Sequence, residues 1–479
     1  MNKEKNIFTL LYKIELIIGI ITSILLLYYY KYDDIKNLWL LPMSYTLSMF
    51  FVRDYYYQKN IGIAVSIFEL TKFIRYIVLP IVYNVSGGLV GLFMVDLRYD
   101  YHEFAVGLMC YELLAVSLVF FLYHKKHYSS KRKTKLIIPE YNPKVTVFIF
   151  SFLWLALILL VGSYRDYLLN FSLAQNSDAQ TKDISNNNLD ILFQFGKIYI
   201  YAIFIYLASL SKSNRRKIAI LFFASVLFIS SNWNDGGLSV NRWGLIVSSL
   251  LSLYAVYSFY PNKKRQIFTY GAIIMFLIVI LGTVIKMVMV WDYGKMDANE
   301  TAGSMFASGM IDVYFEGVYS VSNGLSTVDS YGNKVGFMNF ISEFIYHFPF
   351  AVRVFGLQDY TWAEYYFKLG VDDTSLICPT LVQSCYYFGP LGCPFFSCVS
   401  VFFALLFTSK LEKERDFTVK LLYVYAIFWL SLYNCIDYTI VEAHIWYPII
   451  GIWICRLGKT KRRNDVPSNI ERVFNKELI

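Results

Sequence analysis

The chain has 479 residues, of which 57% are hydrophobic, 19% are aromatic and only 16% are charged. This composition is too apolar for a soluble fold of this length, so we expect the lipid bilayer to be the main solvent. The net charge of +9 resides in short Lys and Arg clusters rather than on one basic face, which argues against nucleic-acid binding.

Apolar stretches of near 20 residues recur along the chain, and Lys and Arg clusters occupy every second gap between them, at 125–127 with 131–133, 215–217, 263–265 and 459–463. Cytoplasmic loops of membrane proteins carry such clusters, so the alternation predicts about 12 spans with both termini cytoplasmic. The predicted spans cover residues 9–30, 38–51, 61–83, 103–123, 145–163, 189–210, 218–231, a span opening at 241–244, and then 267–291, 387–406, 419–433 and 440–455.

The predicted fold is therefore all-α and polytopic. Residues 1–291 hold transmembrane helices one to nine, residues 292–386 form a large extracytoplasmic loop, and residues 387–479 hold helices ten to twelve and a basic cytoplasmic tail. The loop is far longer than a connector requires, which is typical of functional loops. Apolar residues at helical spacing within 306–318 and 337–345 predict short amphipathic helices lying on the membrane face.

Glu343 and His347 are four residues apart in the second of these predicted helices, so both side chains would project from one face. A carboxylate can orient an imidazole, which makes His347 a candidate general base for a hydroxyl nucleophile and Glu343 its partner or replacement. The pattern leaves open an interfacial histidine that makes an ordinary hydrogen bond.

Several cations lie within the predicted spans or on the outer side. A guanidinium is costly in a bilayer and is retained chiefly where it has a partner or a function, and its planar fork matches the oxygens of a diphosphate. Local acids are the alternative explanation for Arg98, between Asp96 and Asp100, and for Arg165, beside Asp166. The candidate substrate-binding residues are Arg242, Arg75, Arg353, Arg98, Arg165 and Lys197.

Three features together suggest a family: Arg242 after the Gly236-Gly237 turn, a late outer loop bearing His347 and Arg353, and the segment Phe388-Gly389-Pro390-Leu391-Gly392 before span ten. With these the chain resembles the Wzy-type polymerases of bacterial surface polysaccharides. The resemblance implies a GT-C-like membrane glycosyltransferase that joins undecaprenyl-diphosphate-linked oligosaccharides on the outer face of the cytoplasmic membrane. It also implies that Arg242 and Arg353 handle the diphosphate and that His347 matches the loop histidine of related ligases.

The mechanism we expect requires no nucleotide, metal or other cofactor. The expected partners are lipid-linked oligosaccharides and membrane lipids, with a flippase and a chain-length regulator as further candidates and no nucleic acid. Two alternatives stay open: a lipid-linked oligosaccharide flippase or other carrier, and an O-antigen-type ligase that differs only in its acceptor. The sequence likewise leaves open whether Cys378 and Cys385 pair, and whether Asp437, Glu442 and His444 line a sugar groove or mark the interface.

Overall fold

The structure is a computed structural model that describes residues 3–30, 32–57, 62–89, 98–127, 139–160, 187–233, 242–264, 308–331, 337–346, 348 and 377–457, with shorter pieces between 266 and 277. These ranges are helical and contain no β-strand, and Glu140 and Asp416 form one isolated parallel bridge. The predicted all-α class is confirmed.

Helices in the first half of the chain match the hydropathy pattern to within a few residues. They are α1 (Lys3–Tyr29), α2 (Leu40–Tyr56), α3 (Ile63–Phe73), α4 (Leu79–Val85), α5 (Tyr99–His127), α6 (Val145–Leu160), α7 (Asn187–Leu210), α8 (Asn214–Ser230) and α9 (Arg242–Phe259). A π-helical stretch, Ile74–Val78, joins α3 to α4 without a break. The predicted span 267–291 lies almost entirely outside the described residues.

The predicted outer loop contains three short helices, α10 (Ser308–Tyr314), α11 (Val318–Tyr331) and α12 (Phe337–Ile345). The helix predicted over 337–345 is confirmed, whereas the one predicted over 306–318 is interrupted after Tyr314. Asp312 explains the interruption, because its carboxylate accepts hydrogen bonds from the backbone N–H groups of Tyr319 and Ser320, at 2.8 and 2.9 Å, and so caps α11 as a separate helix.

The last helices of the chain are α13 (Thr380–Gly392), α14 (Phe395–Leu411), α15 (Phe417–Ser431) and α16 (Tyr438–Arg456). The helix predicted to begin at Tyr387 begins at Phe395 instead, and α13 meets it at 106°. Gly389 has φ +68° and ψ −176°, a conformation that is essentially restricted to glycine, and Pro390 follows it. Hydropathy does not reveal this bend, because α13 and α14 form one apolar stretch.

Two apolar cores fill the bundle. The first packs α1–α5 against α11 and α13, and the second packs α6–α9 against α14–α16. Helix α15 lies at the centre of the second core, where it contacts α14, α16, α7 and α3. Every residue from Phe417 to Ser431 is buried, as expected for an apolar helix that other helices surround.

Two described segments are long and apolar enough to cross a membrane alone, Phe8–Tyr29 in α1 and Asp100–His127 in α5. The bent pair α13–α14 passes the same test as a unit, and four shorter helical segments are also apolar: Val145–Leu160, Phe195–Leu210, Trp243–Phe259 and Phe417–Ser431. Large apolar side chains such as Phe152 and Phe222, each 71% exposed, point out of the bundle. Lipid would cover this surface, so the fold suits a membrane protein. The number of spans stays a prediction.

Helix α11, for which the sequence pattern made no prediction, inserts into the bundle. Its first half, residues 318–325, is buried, and the helix packs between α5 and α13. At Gly324 a Cβ atom would come within 2.7 Å of Val382 in α13, so only glycine allows this approach.

Candidate functional site

Charged residues gather in the interior where α10–α13 insert among the longer helices. We call five of them the buried acidic cluster, each at most 9% exposed: Glu112, Glu316, Glu343, Asp437 and Glu442. Arg75 is buried beside the first two. Ionisable groups inside an apolar bundle are costly and commonly mark a functional site, so this region is the candidate site.

Arg75 connects three parts of the bundle. It lies in the π-helical stretch, a feature often found at functional sites. Its Nη1 atom donates to Glu112 of α5 at 2.8 Å, and its Nε atom donates to the backbone oxygen of Glu316 at 2.9 Å. Ser397 of α14 donates to the other oxygen of Glu112. Among the described residues Nη2 has no hydrogen-bond partner.

Glu316 lies in the turn between α10 and α11 and is fully buried. Its φ of +48° is unusual for a residue other than glycine. The backbone N–H of Thr380, at the start of α13, lies within reach of its carboxylate. Burial raises the pKa of Glu316 well above its usual value, although the positive charge of Arg75 opposes the shift. A carboxyl group in this setting favours its neutral form.

Asp312 holds the turn that places Glu316. Besides the two N–H groups of α11, its carboxylate accepts hydrogen bonds from the hydroxyls of Ser320, at 2.7 Å, and Tyr83. This carboxylate is fully buried, and desolvation raises its pKa despite these donors. Because its two oxygens accept these four hydrogen bonds, Asp312 stabilises the turn and its contact with α4.

Asp437 lies at the end of a buried turn, residues 432–437, between α15 and α16. The segment before α13 covers this turn: the backbone N–H of Cys378 donates to Asp437, and Thr380 Oγ1 donates to the Ile436 oxygen at 3.2 Å. Burial, and then the nearby charge of Glu343, raise the pKa of Asp437 to about 7. Asp437 is therefore able to exchange a proton near neutral pH.

Glu343 projects from α12 into the interior, and the hydroxyl of Tyr387 donates to it at 3.3 Å. Aromatic rings surround this contact, and Phe396 and Tyr438 stack with their centroids 4.0 Å apart. The backbone N–H of Tyr438 donates to Gln383 Oε1 at 2.9 Å. Among the described residues Gln383 Nε2 and the Tyr438 hydroxyl have no partner. Two buried hydrogen-bonding groups therefore lie beside a stacked aromatic pair in this region.

The structure places two of the sequence-predicted residues, Arg75 and Glu343, in this interior region. The other described candidates lie elsewhere. Arg98 is exposed just before α5. Lys197 is buried in α7, where its ammonium group lies 3.5 Å from Asn232 Oδ1, within the second core. Arg242 is the first residue of α9, as predicted, but its side chain lies outside the described residues.

Three further candidates, His347, Arg353 and Arg165, lie outside the described residues, as does most of the Gly-rich turn before Arg242. The pairing of Glu343 with His347 therefore stays a prediction. Cys378 and Cys385 are both buried and unpaired, which answers the question of a disulfide that the sequence left open. No group of three or more His, Cys, Asp or Glu among the described residues has the geometry of a metal site.

Glu112 and Glu316 were not identified from the sequence. Glu112 carried a usable signal, since it is a carboxylate in the middle of the apolar stretch 103–123. Glu316 carried none, because its approach to Arg75, 241 positions away, depends on the insertion of α11. Asp437 was noted as a possible groove residue, and it precedes the first residue of α16 without capping the helix through its side chain, while Glu442 and His444 lie inside that helix.

Comparison of the chain with protein-family models, with curated proteins and with solved structures finds no match.

Proposed function

We propose that the chain is a membrane-embedded glycosyltransferase that polymerises undecaprenyl-diphosphate-linked oligosaccharide repeat units on the outer face of the bacterial cytoplasmic membrane. The observation that carries the proposal is the buried contact region of Glu343, Tyr387 and Asp437. It combines a carboxyl group with a pKa near 7, unfilled hydrogen-bonding groups and aromatic rings beneath the segment that inserts from the predicted outer side.

The reaction forms one bond and breaks one. A hydroxyl of the incoming unit attacks the anomeric carbon of the growing chain, whose bond to the lipid diphosphate breaks. The hydroxyl proton passes to a base, for which we propose Glu343 or His347, with Asp437 as the neighbouring acid–base group. The released diphosphate retains the bonding electrons, and Arg242 and Arg353 would neutralise it. Inversion at the anomeric carbon follows from a single displacement.

A gene-deletion strain restored with single variants tests the proposal. We expect Glu343→Gln, His347→Ala and Arg242→Ala to replace long surface-glycan chains by single repeat units, because loss of a general base commonly lowers a rate about 10²- to 10⁴-fold. Glu103→Gln and Arg53→Ala are the matched controls, since both residues lie away from the interior region. Normal chain length in all three test strains, at equal expression, contradicts the proposal.

A carrier of lipid-linked oligosaccharides is the second candidate, and one observation favours it. Carriers often contain interrupted helices near the membrane midplane, and this bundle has a 106° bend between α13 and α14 and a π-helical stretch at Arg75. The two candidates differ in products, because a carrier moves the lipid-linked unit unchanged whereas a polymerase lengthens it.

A further inference from the structure

A cavity of about 370 Å³ lies between α1, α2 and α3, away from the buried acidic cluster. Its volume is within the range of small-ligand pockets. Leu11 and Leu70 line its rim and are 41% and 62% exposed. The cavity therefore opens toward the lipid-facing surface of the bundle. Its apolar wall is formed by Phe8, Leu11, Ile14, Ile18, Leu70 and Phe73.

The polar end of this cavity is acidic. Glu15, Glu69 and Tyr56 all line it. The Tyr56 hydroxyl donates to Glu15 at 2.6 Å and lies 3.3 Å from Glu69, and the Tyr45 hydroxyl is 3.3 Å from the same oxygen of Glu15. A phenol has one proton, so Tyr56 serves one carboxylate at a time.

Only one of the two carboxylates has a cation beside it. Lys72 is 1% exposed and lies 2.7 Å from Glu69, with its ammonium group 4.8 Å from the centre of the Tyr45 ring. Among the described residues no Lys, Arg or His nitrogen is within ion-pair distance of Glu15. Lys72 acts on Glu15 as well, but only through space, so among the described residues one cation faces two carboxylates at the end of an apolar channel.

We propose that this cavity binds a single-chain amphiphile with a protonated amine head group. The ammonium group would lie against Glu15, and the hydrocarbon chain would follow Ile14 and Leu11 to the rim. Attraction between opposite charges is strong in a medium of low polarity, so an ammonium is favoured over a hydroxyl and strongly over an anionic head group. The site does not depend on the proposed glycosyltransferase activity.

Photolabelling of the full chain in phosphatidylcholine nanodiscs tests this proposal. The probes are hexadecylamine, hexadecanol and hexadecanoic acid, each with a diazirine in the middle of the chain, and mass spectrometry maps and quantifies the labelled peptides. We expect the amine to label the Leu11 and Leu70 peptides about tenfold more than the other two probes, which corresponds to about 1.4 kcal/mol. Glu15→Gln should abolish this preference, and Asp54→Asn, an exposed acid at the end of α2, should leave it unchanged.

Leu70→Trp provides a test that retains every charged group, because the larger side chain at the rim should block labelling by all three probes. The proposal is overturned if the three probes label the cavity equally and Glu15→Gln has no effect. It is also overturned if labelling of the cavity peptides does not exceed that of the exposed face of α6 around Phe152.

Discussion

Arg75 is fully buried, and its guanidinium makes two hydrogen bonds to described residues, one to Glu112 and one to the backbone of Glu316. Glu112 belongs to α5 and Glu316 to the turn between α10 and α11, so Arg75 connects the inserted segment to the long helices through hydrogen bonds. Its remaining nitrogen faces no described partner. Arg75 is therefore a positioning residue in this conformation, and a contact to substrate diphosphate would use Nη2.

Arg75→Leu should destabilise the protein by about 3–5 kcal/mol, because the substitution leaves the Glu112 carboxylate buried without its cation. The loss is measurable as a fall in Tm of the detergent-purified protein. Arg53→Leu is the control, since the Arg53–Asp54 pair is exposed and contributes about 0–1 kcal/mol. The double variant Arg75→Leu/Glu112→Leu should recover most of the loss, and simple addition of the two single effects contradicts the pairing.

Asp437 should make stability depend on pH. Its folded pKa of about 7 exceeds the value of 3.8 that is usual for an exposed Asp, so the unfolded chain loses this proton first and stability falls as pH rises from about 4 to 7. Asp437→Asn should therefore raise the Tm above that of the unsubstituted protein more strongly at pH 8 than at pH 5. A shift of this size corresponds to an upper bound of about 4 kcal/mol. Parallel Tm–pH curves for both proteins would show that Asp437 does not titrate in this range.

Some of these residues were predictable and others were not. Arg75 and Glu343 could be identified because a charge in an apolar stretch, or on one face of an amphipathic helix, is visible in the sequence. Glu112 could have been identified by the same argument, had acids been weighed as heavily as cations. Glu316 and the buried state of Asp437 depend on tertiary contacts to α11 and to the segment before α13, which sequence periodicity does not encode.

At the scale of elements, the π-helical stretch and the bend after α13 shape the interior. Arg75 lies in the first and contacts Glu112, and α13 before the second contacts α16 through Gln383 and α12 through Tyr387. Hydropathy and basic clusters located most helix ends within a few residues. They indicated no helix at 318–331 and did not reveal the bend between α13 and α14, because a bent apolar stretch has the same composition as a straight span.

Gly389→Ala should destabilise the bend by about 1–3 kcal/mol, because an L-residue rarely adopts φ +68° with ψ −176°. The cost is conformational, since a Cβ atom there would meet nothing within 4 Å. Gly107→Ala is the matched control: its Cβ would also meet nothing, but Gly107 lies inside α5, where alanine should stabilise by about 0.5–1 kcal/mol. Opposite Tm shifts are expected, and equal shifts contradict the role of Gly389.

At the scale of the whole molecule, two apolar cores enclose an interior whose ionisable side chains are mostly acids. The segment 308–392 supplies Glu316 and Glu343, and the longer helices supply Arg75, Glu112 and Asp437. Because the segment and the longer helices both contribute residues, a movement of the segment would change the distances among these side chains. Such a change would suit a substrate that must enter and leave. Such an arrangement would suit either a transferase or a carrier. A lengthened product would identify the transferase, and an unchanged lipid-linked unit would identify the carrier.

The most direct measurement places the purified chain in proteoliposomes with one undecaprenyl-diphosphate-linked repeat unit and follows the products by mass spectrometry. We expect oligomers of two or more repeat units, with one undecaprenyl diphosphate released for each new glycosidic bond, and loss of both in Glu343→Gln. Movement of the unchanged lipid-linked unit across the bilayer, with no bond formed, contradicts the transferase proposal and favours the carrier.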